Sequence, residues 1–171
     1  MGLADKKVLM VVAQTDFDAT EFETTRKVLE SRGIQVKVAS AALATARGTT
    51  GLMVRPDVGL DDIKTWEYDA VVFVGGLGAR HLFEHEKATQ LAKDCAYKLL
   101  GGLGLGVGVL ANGGVVKGKR VTADASVASL LRQKEATFTA QPLEVDEKLV
   151  RAASGRCAEH LGNALLRALQ K

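Results

Sequence analysis

Residues 99–114, LLGGLGLGVGVLANGG, combine small apolar residues with a closely spaced series of glycines. Residues 99–103 predict a short central strand covered on both faces, and the apolar run from Val107 predicts a helix. Gly104 falls at the turn between them. A sharp strand-to-helix turn is the geometry that presents a nucleophile at the carboxyl end of a strand. Because this segment contains no Cys, Ser or Thr, the sequence predicts the turn without a nucleophile.

A second glycine-rich turn, residues 75–78 (GGLG), directly follows the apolar run 68–74. Its backbone N–H groups can bind an anion, to which the amino end of the helix after Gly104 adds positive potential. Alternatively, its glycines only allow close packing in a tight turn, and the two interpretations are compatible. Glycine recurs at every second position from 102 to 108, which is not the G-x-G-x-x-G spacing of a dinucleotide site. We therefore predict no cofactor.

His81 and His85, with Glu84 between them, have the i, i+4 spacing of a metal-binding pair. No third ligand accompanies them, and a helix surface explains the pattern better, so we predict no metal. Cys95 and Cys157 lie on different predicted helices without metal-type spacing. We expect both to be reduced thiols, which is typical of a cytoplasmic protein.

Composition limits the class of protein. The 171 residues fit one domain, with 47% hydrophobic and 25% charged residues and a formal net charge of +3. Basic residues are dispersed, so we predict no nucleic-acid binding. No apolar run approaches the roughly 18 residues of a membrane span, and we expect neither a signal peptide nor membrane association.

The hydrophobic pattern alternates strands with helices. It predicts strands at residues 7–13, 34–40, 68–74, 99–103 and 119–122, and shorter ones at 51–54, 137–142 and 143–153, the last with a turn at Asp146-Glu147. It predicts helices at residues 21–32, 84–97, 107–113, 127–134 and 157–169, a helical turn at 60–67 and a polar loop at 14–19. This alternation predicts a doubly wound α/β sheet in one domain, residues 1–171.

Five segments, in this order and spacing, resemble the ThiJ/PfpI superfamily, a branch of the class I glutamine amidotransferase-like fold. They are KVLMVVAQTDFDATEFE, RGIQVKVAS, YDAVVFVGGLGAR, GVLANGGVVKGKRVTAD and EVDEKLVRAASG. The resemblance implies a flavodoxin-like three-layer sandwich with a mostly parallel central sheet. It also implies a homodimer or a higher homo-oligomer.

The resemblance further implies a cysteine at the elbow, a glutamate that contacts it, and an oxyanion hole at the Gly-Gly turn. Glu21 matches the glutamate, and Gly75 and Gly76 match the turn. Gly104 stands at the cysteine position, followed by Leu105. Glycine adopts a positive φ without the strain of other residues, as suits a turn that has kept its shape without its nucleophile. Glu21 is alternatively a first-turn acid favoured by the helix dipole.

These observations predict a stress-related or metabolite-binding protein without the nucleophile. Its small anionic or carbonyl ligand is expected at a site formed by Glu21, Gly75, Gly76, Gly104 and Leu105, unless it acts through its dimer surface. The alternative is a weak glyoxalase, deglycase or amidase/protease-like hydrolase that uses Glu21 as a general base without a covalent intermediate.

Overall fold

The computed structural model describes residues 2–146 and 148–171, and within them a seven-stranded central sheet. The strands are β1 Lys7–Val11, β2 Thr15–Phe17, β3 Gln35–Ser40, β4 Ala46–Gly48, β5 Met53–Val54, β6 Val58–Gly59, β7 Ala70–Phe73, β8 Leu99–Leu103, β9 Arg120–Val121, β10 Thr137–Phe138, β11 Leu143–Val145 and β12 Leu149–Ala152. The helices are α1 Ala19–Glu30, α2 Glu86–Asp94, α3 Val107–Asn112, α4 Ala128–Gln133 and α5 Ala158–Leu169.

The central sheet has the order β11-β12-β8-β7-β1-β3-β6 and is parallel except where β11 pairs with β12. Its five main strands follow the flavodoxin-like order, in which the chain reverses direction across the sheet between β1 and β7. Smaller sheets are formed by β2, β4 and β5 and by β9 and β10. The predicted fold class is confirmed.

Helices cover both faces of the sheet. Neighbouring glycines in β8 demonstrate this, because a Cβ on Gly101 would approach Leu165 of α5, whereas one on Gly102 would approach Leu110 of α3. Successive residues of a strand point to opposite faces. The hydrophobic core therefore fills two layers, one between the sheet and α1 and α5, the other between the sheet and α2, α3 and α4.

Several predicted boundaries need correction. Residues 15–17 of the predicted polar loop form β2, and α1 begins at Ala19 because Asp18 caps it. The predicted helix 84–97 is shorter, Glu86–Asp94, and the helical turn at 60–67 consists of two separate 3₁₀ turns. The predicted turn at Asp146-Glu147 includes Glu147, which lies outside the described residues. No helix in the described ranges is long and apolar enough to cross a membrane.

Candidate functional site

The candidate site lies at the carboxyl ends of β1, β7 and β8, where the sheet reverses its winding. In a doubly wound sheet this is the crevice in which ligands bind. The segment that follows each strand supplies one part of the site. Glu21 lies on α1, which follows β1 and β2. Gly75 and Gly76 form the turn after β7, and Gly104 and Leu105 form the turn after β8. The structure thus brings together all five residues that the sequence singled out.

Gly104 has the backbone of a sharp strand-to-helix turn. Leu103 still has extended dihedrals, whereas Gly104 has φ +53° and opens a 3₁₀ turn that leads into α3. A Cβ on Gly104 would stand 2.7 Å from Oε2 of Glu21. A side chain here would therefore be strained at its backbone and would displace a carboxyl oxygen.

Glu21 is almost completely buried, with 3% of its surface exposed. Its backbone N–H donates to Oδ1 of Asp18 at 2.9 Å, the contact that caps α1. Its side-chain Oε1 accepts the N–H of Gly75 at 2.7 Å. The other oxygen, Oε2, faces Gly104 and makes no hydrogen bond to any residue that the structure describes. Glu21 therefore has one oxygen bound and one free.

The pKa of Glu21 is raised from 4.5 to about 8, and burial is the main cause. The negative charge of Asp18, and more weakly that of Asp124, contributes to this rise, while the hydrogen bond from Gly75 opposes it. Glu21 is consequently protonated at neutral pH for most of the time. Since Oε1 accepts a hydrogen bond, the proton belongs on Oε2, where it faces the turn at Gly104.

The Gly-Gly turn is packed too closely for side chains. A Cβ on Gly75 would lie 2.5 Å from the carbonyl oxygen of Leu103, and a Cβ on Gly76 would lie 2.4 Å from the backbone nitrogen of Asp18. Gly76 also has φ +98°. Because the N–H of Gly75 already donates to Glu21, it is not free for an anion, and the close-packing interpretation describes Gly75 better.

Two segments that were not assigned to the site from the sequence complete its surroundings. The carbonyl of Ala153 and the 3₁₀ turn at Gly155 lie beside Gly104 and Glu21, on the side of β12. In the loop after β9, Asp124 accepts a hydrogen bond from the hydroxyl of Ser126 at 2.7 Å, and Arg80 donates to that hydroxyl at 3.0 Å. Only long-range packing brings these residues together, although D-x-x-E at Asp18–Glu21 is a recognisable helix-start pattern.

None of the other candidate residues forms a hydrogen bond with the described atoms of Glu21, Gly75 or Gly104. His81 belongs to the 3₁₀ turn Leu77–Leu82 and His85 precedes α2, so they do not share the helix surface that we predicted. Among the described residues, no group of three or more metal-ligating side chains is found. Cys95 and Cys157 are both buried free thiols, and burial raises the pKa of Cys95.

Comparisons with known proteins identify the family. A model of the DJ-1/PfpI family matches residues 6–168, and the chain belongs to this family. An uncharacterized protein of Methanocaldococcus jannaschii is 29% identical over 99% of this chain and 85% of its own length. The glutathione-independent glyoxalase DJR-1.2 of Caenorhabditis elegans is 31% identical over 70% of this chain and 64% of its own length.

A solved structure gives the same result. The ThiJ/PfpI domain protein from Brachyspira murdochii superposes with a TM-score of 0.93 at 30% sequence identity, over 96% of both chains. The family resemblance inferred from the five sequence segments is therefore confirmed.

Proposed function

We propose that this member of the DJ-1/PfpI family binds a small carbonyl metabolite without covalent catalysis. The observation that carries the proposal is the pairing of Gly104 with Glu21. Covalent chemistry at a carbonyl requires a nucleophile, and the elbow offers only a backbone. In its place stands a protonated carboxyl group with Oε2 directed at the turn.

The charges around Glu21 favour a neutral ligand over an anionic one. Asp18 and Asp124 act on Glu21 as negative charges, and both are half-buried. The N–H of Gly75, the expected anion donor, is occupied by Oε1. A protonated carboxyl donates a hydrogen bond to a carbonyl oxygen, whereas a carboxylate ligand would be repelled by the two aspartates. We therefore favour a carbonyl ligand over an anionic ligand.

Amide chemical shifts of Gly104 and Leu105 at neutral pH test the ligand class. We expect methylglyoxal, a neutral dicarbonyl compound, to perturb them and pyruvate, its carboxylate analogue, to leave them unchanged. Glu21→Gln keeps a neutral hydrogen-bond donor and is the matched control, which should retain the response. Equal perturbation by both compounds, or by neither, would rule out the proposed ligand class.

The absence of covalent chemistry has its own test. We expect no turnover of methylglyoxal by the wild-type protein and measurable turnover by Gly104→Cys. Gly104→Ala is the matched control, because it adds the same Cβ and the same backbone strain without a thiol. Turnover in the wild type would contradict the proposal, and turnover in both variants would contradict the role given to the missing thiol.

A second candidate function is slow glyoxalase, deglycase or hydrolase chemistry through Glu21. Two findings favour it: the pKa of Glu21, about 8, suits a general acid or base near neutral pH, and one relative is named a glyoxalase. A general base alone contributes roughly 10²–10⁴-fold. In this case Glu21→Gln should abolish turnover, whereas binding should survive the change.

For location and assembly, we propose a cytoplasmic homodimer. Cell fractionation would test the location, and light scattering would test the oligomeric state.

A further inference from the structure

A cleft of about 290 Å³ lies at the amino ends of β8 and β12, at the end of the sheet opposite to Glu21. We call it the lysine cleft, after Lys93, Lys119 and Lys148 on its rim. These lysines come from three separate parts of the chain: the last turn of α2, the residue before β9 and the residue before β12. The fold, rather than a local cluster in the sequence, brings them together.

The charged side chains described in the lining of this cleft are of one sign. Three lysines line it and no described acidic residue does. Lys119 pairs with Asp146 at 3.4 Å, outside the lining. Lys93 and Lys148 form no salt bridge with any carboxylate in residues 2–146 and 148–171.

The carboxyl ends of two helices explain the position of one of the three lysines. Lys93 lies in the last turn of α2, and α3 ends beside the cleft at Gly113, so the negative ends of two helix dipoles favour a cation there. Lys119 and Lys148 precede strands and belong to no helix end. A dipole effect therefore explains one lysine of the three.

The walls of the cleft are apolar. They include Leu100, Leu149 and the half-buried Val115. Gly114, with φ +78°, also lines the cleft, and no atom lies within 4 Å of the place where its Cβ would stand. Low-dielectric walls around charges of one sign concentrate the electric field and attract counter-ions. The cleft thus offers both an anion site and an apolar contact.

We propose that the lysine cleft binds the phosphoryl group of a small organic phosphate ester. Lysine ammonium groups recognise phosphate as point charges and need no bidentate geometry. The apolar walls contact the organic part, so an ester binds more tightly than inorganic phosphate. The volume suits a compact ligand, since it lies at the lower limit of about 300 Å³ for ligand pockets. This proposal does not depend on the function of Glu21.

Calorimetric titration with phenyl phosphate tests the proposal. We expect Lys93→Gln/Lys148→Gln to weaken binding at least about tenfold, which corresponds to ~1.4 kcal/mol. Lys87→Gln/Lys134→Gln is the matched control, because it removes the same charge from exposed lysines outside the cleft and should retain the wild-type affinity. Raising the ionic strength to about 1 M should also abolish binding, because it shortens the Debye length to ~3 Å.

Three results would overturn the proposal. The first is an absence of wild-type binding at millimolar phenyl phosphate. The second is equal weakening in both double variants, which would indicate an effect of net charge alone. The third is equal affinity for phenyl phosphate and inorganic phosphate, which would remove the role of the apolar walls. Thermal unfolding of both double variants is the control for the fold, and we expect each to unfold cooperatively like the wild type.

Discussion

The central sheet has a buried ionisable side chain at one end and exposed ionisable side chains at the other. At the carboxyl ends Glu21 is 3% exposed, lies among backbone turns and is held near two other acids. At the amino ends three lysines line the lysine cleft. They remain near water, as the 38% exposure of the Lys119 side chain illustrates. Burial alters the protonation of a group, whereas exposure preserves its charge. The first end therefore presents a neutral donor, and the second presents cations.

The largest expected effect concerns the pH dependence of stability. The pKa of Glu21 is higher in the folded protein than in the unfolded chain, so the unfolded chain releases the proton first as pH rises. Stability should fall between pH 4.5 and about 8 and level off above that. The loss is on the order of 5 kcal/mol.

Urea unfolding of the wild type and of Glu21→Gln across this range measures the effect. The glutamine variant lacks the titration and serves as the reference. The difference in unfolding free energy between the two proteins should change with pH over this window. A difference that stays constant with pH would mean that folding leaves the pKa of Glu21 at its ordinary value. It would contradict the contrast drawn between the two ends of the central sheet.

Glycine substitutions probe the packing of the two ends. A Cβ on Gly106 would lie 2.2 Å from the carbonyl oxygen of Phe73, whereas a Cβ on Gly114 would meet nothing within 4 Å. We expect Gly106→Ala to destabilise the protein by about 3 kcal/mol through steric overlap. Gly114→Ala should cost about 1 kcal/mol through its positive φ. Chemical denaturation of both variants measures this difference, and equal losses would contradict the packing described for the elbow.

Lys98 provides a smaller effect at the amino ends. Its Nζ donates to the carbonyl oxygens of Thr65 and Tyr68, both at 2.7 Å, and so ties β8 to the segment before β7. Lys98→Met keeps the apolar stem and leaves both carbonyls without this donor, at a cost of about 2 kcal/mol. Lys93→Met is the control, with an expected change within about 0.5 kcal/mol. A Lys98 variant as stable as this control would contradict the stabilising role given to the two hydrogen bonds of Lys98.

The sequence allowed prediction of the fold because its strongest signals are local. Apolar runs such as residues 7–13 and 68–74 mark buried parallel strands, and the glycines that follow residue 74 mark a tight turn. β2 was missed because Thr15 and Asp16 are polar and exposed, and the strand exists through its pairing with β4. Such pairing between distant segments leaves no hydrophobic period in the sequence.

The sequence predicted which five residues lie together at the candidate site, but it did not predict the electrostatics around them. The elbow turn and the glutamate were recognisable from order and spacing. That the N–H of Gly75 would bind Glu21 rather than a ligand depends on a contact across 54 residues. The effect of Asp124 on the pKa of Glu21 likewise depends on the packing of the loop after β9. For these reasons the sequence left both an anionic and a carbonyl ligand open.

The central claim is that a neutral carboxyl group faces the turn at Gly104. Carbon-13 NMR titration of the Glu21 side-chain carboxyl group tests it most directly, with Glu21→Gln used to assign the resonance. The account predicts a midpoint near pH 8, as the burial of Glu21 and the neighbouring acids require. A midpoint near 4.5, the value of an ordinary glutamate, would contradict it and would favour a charged site.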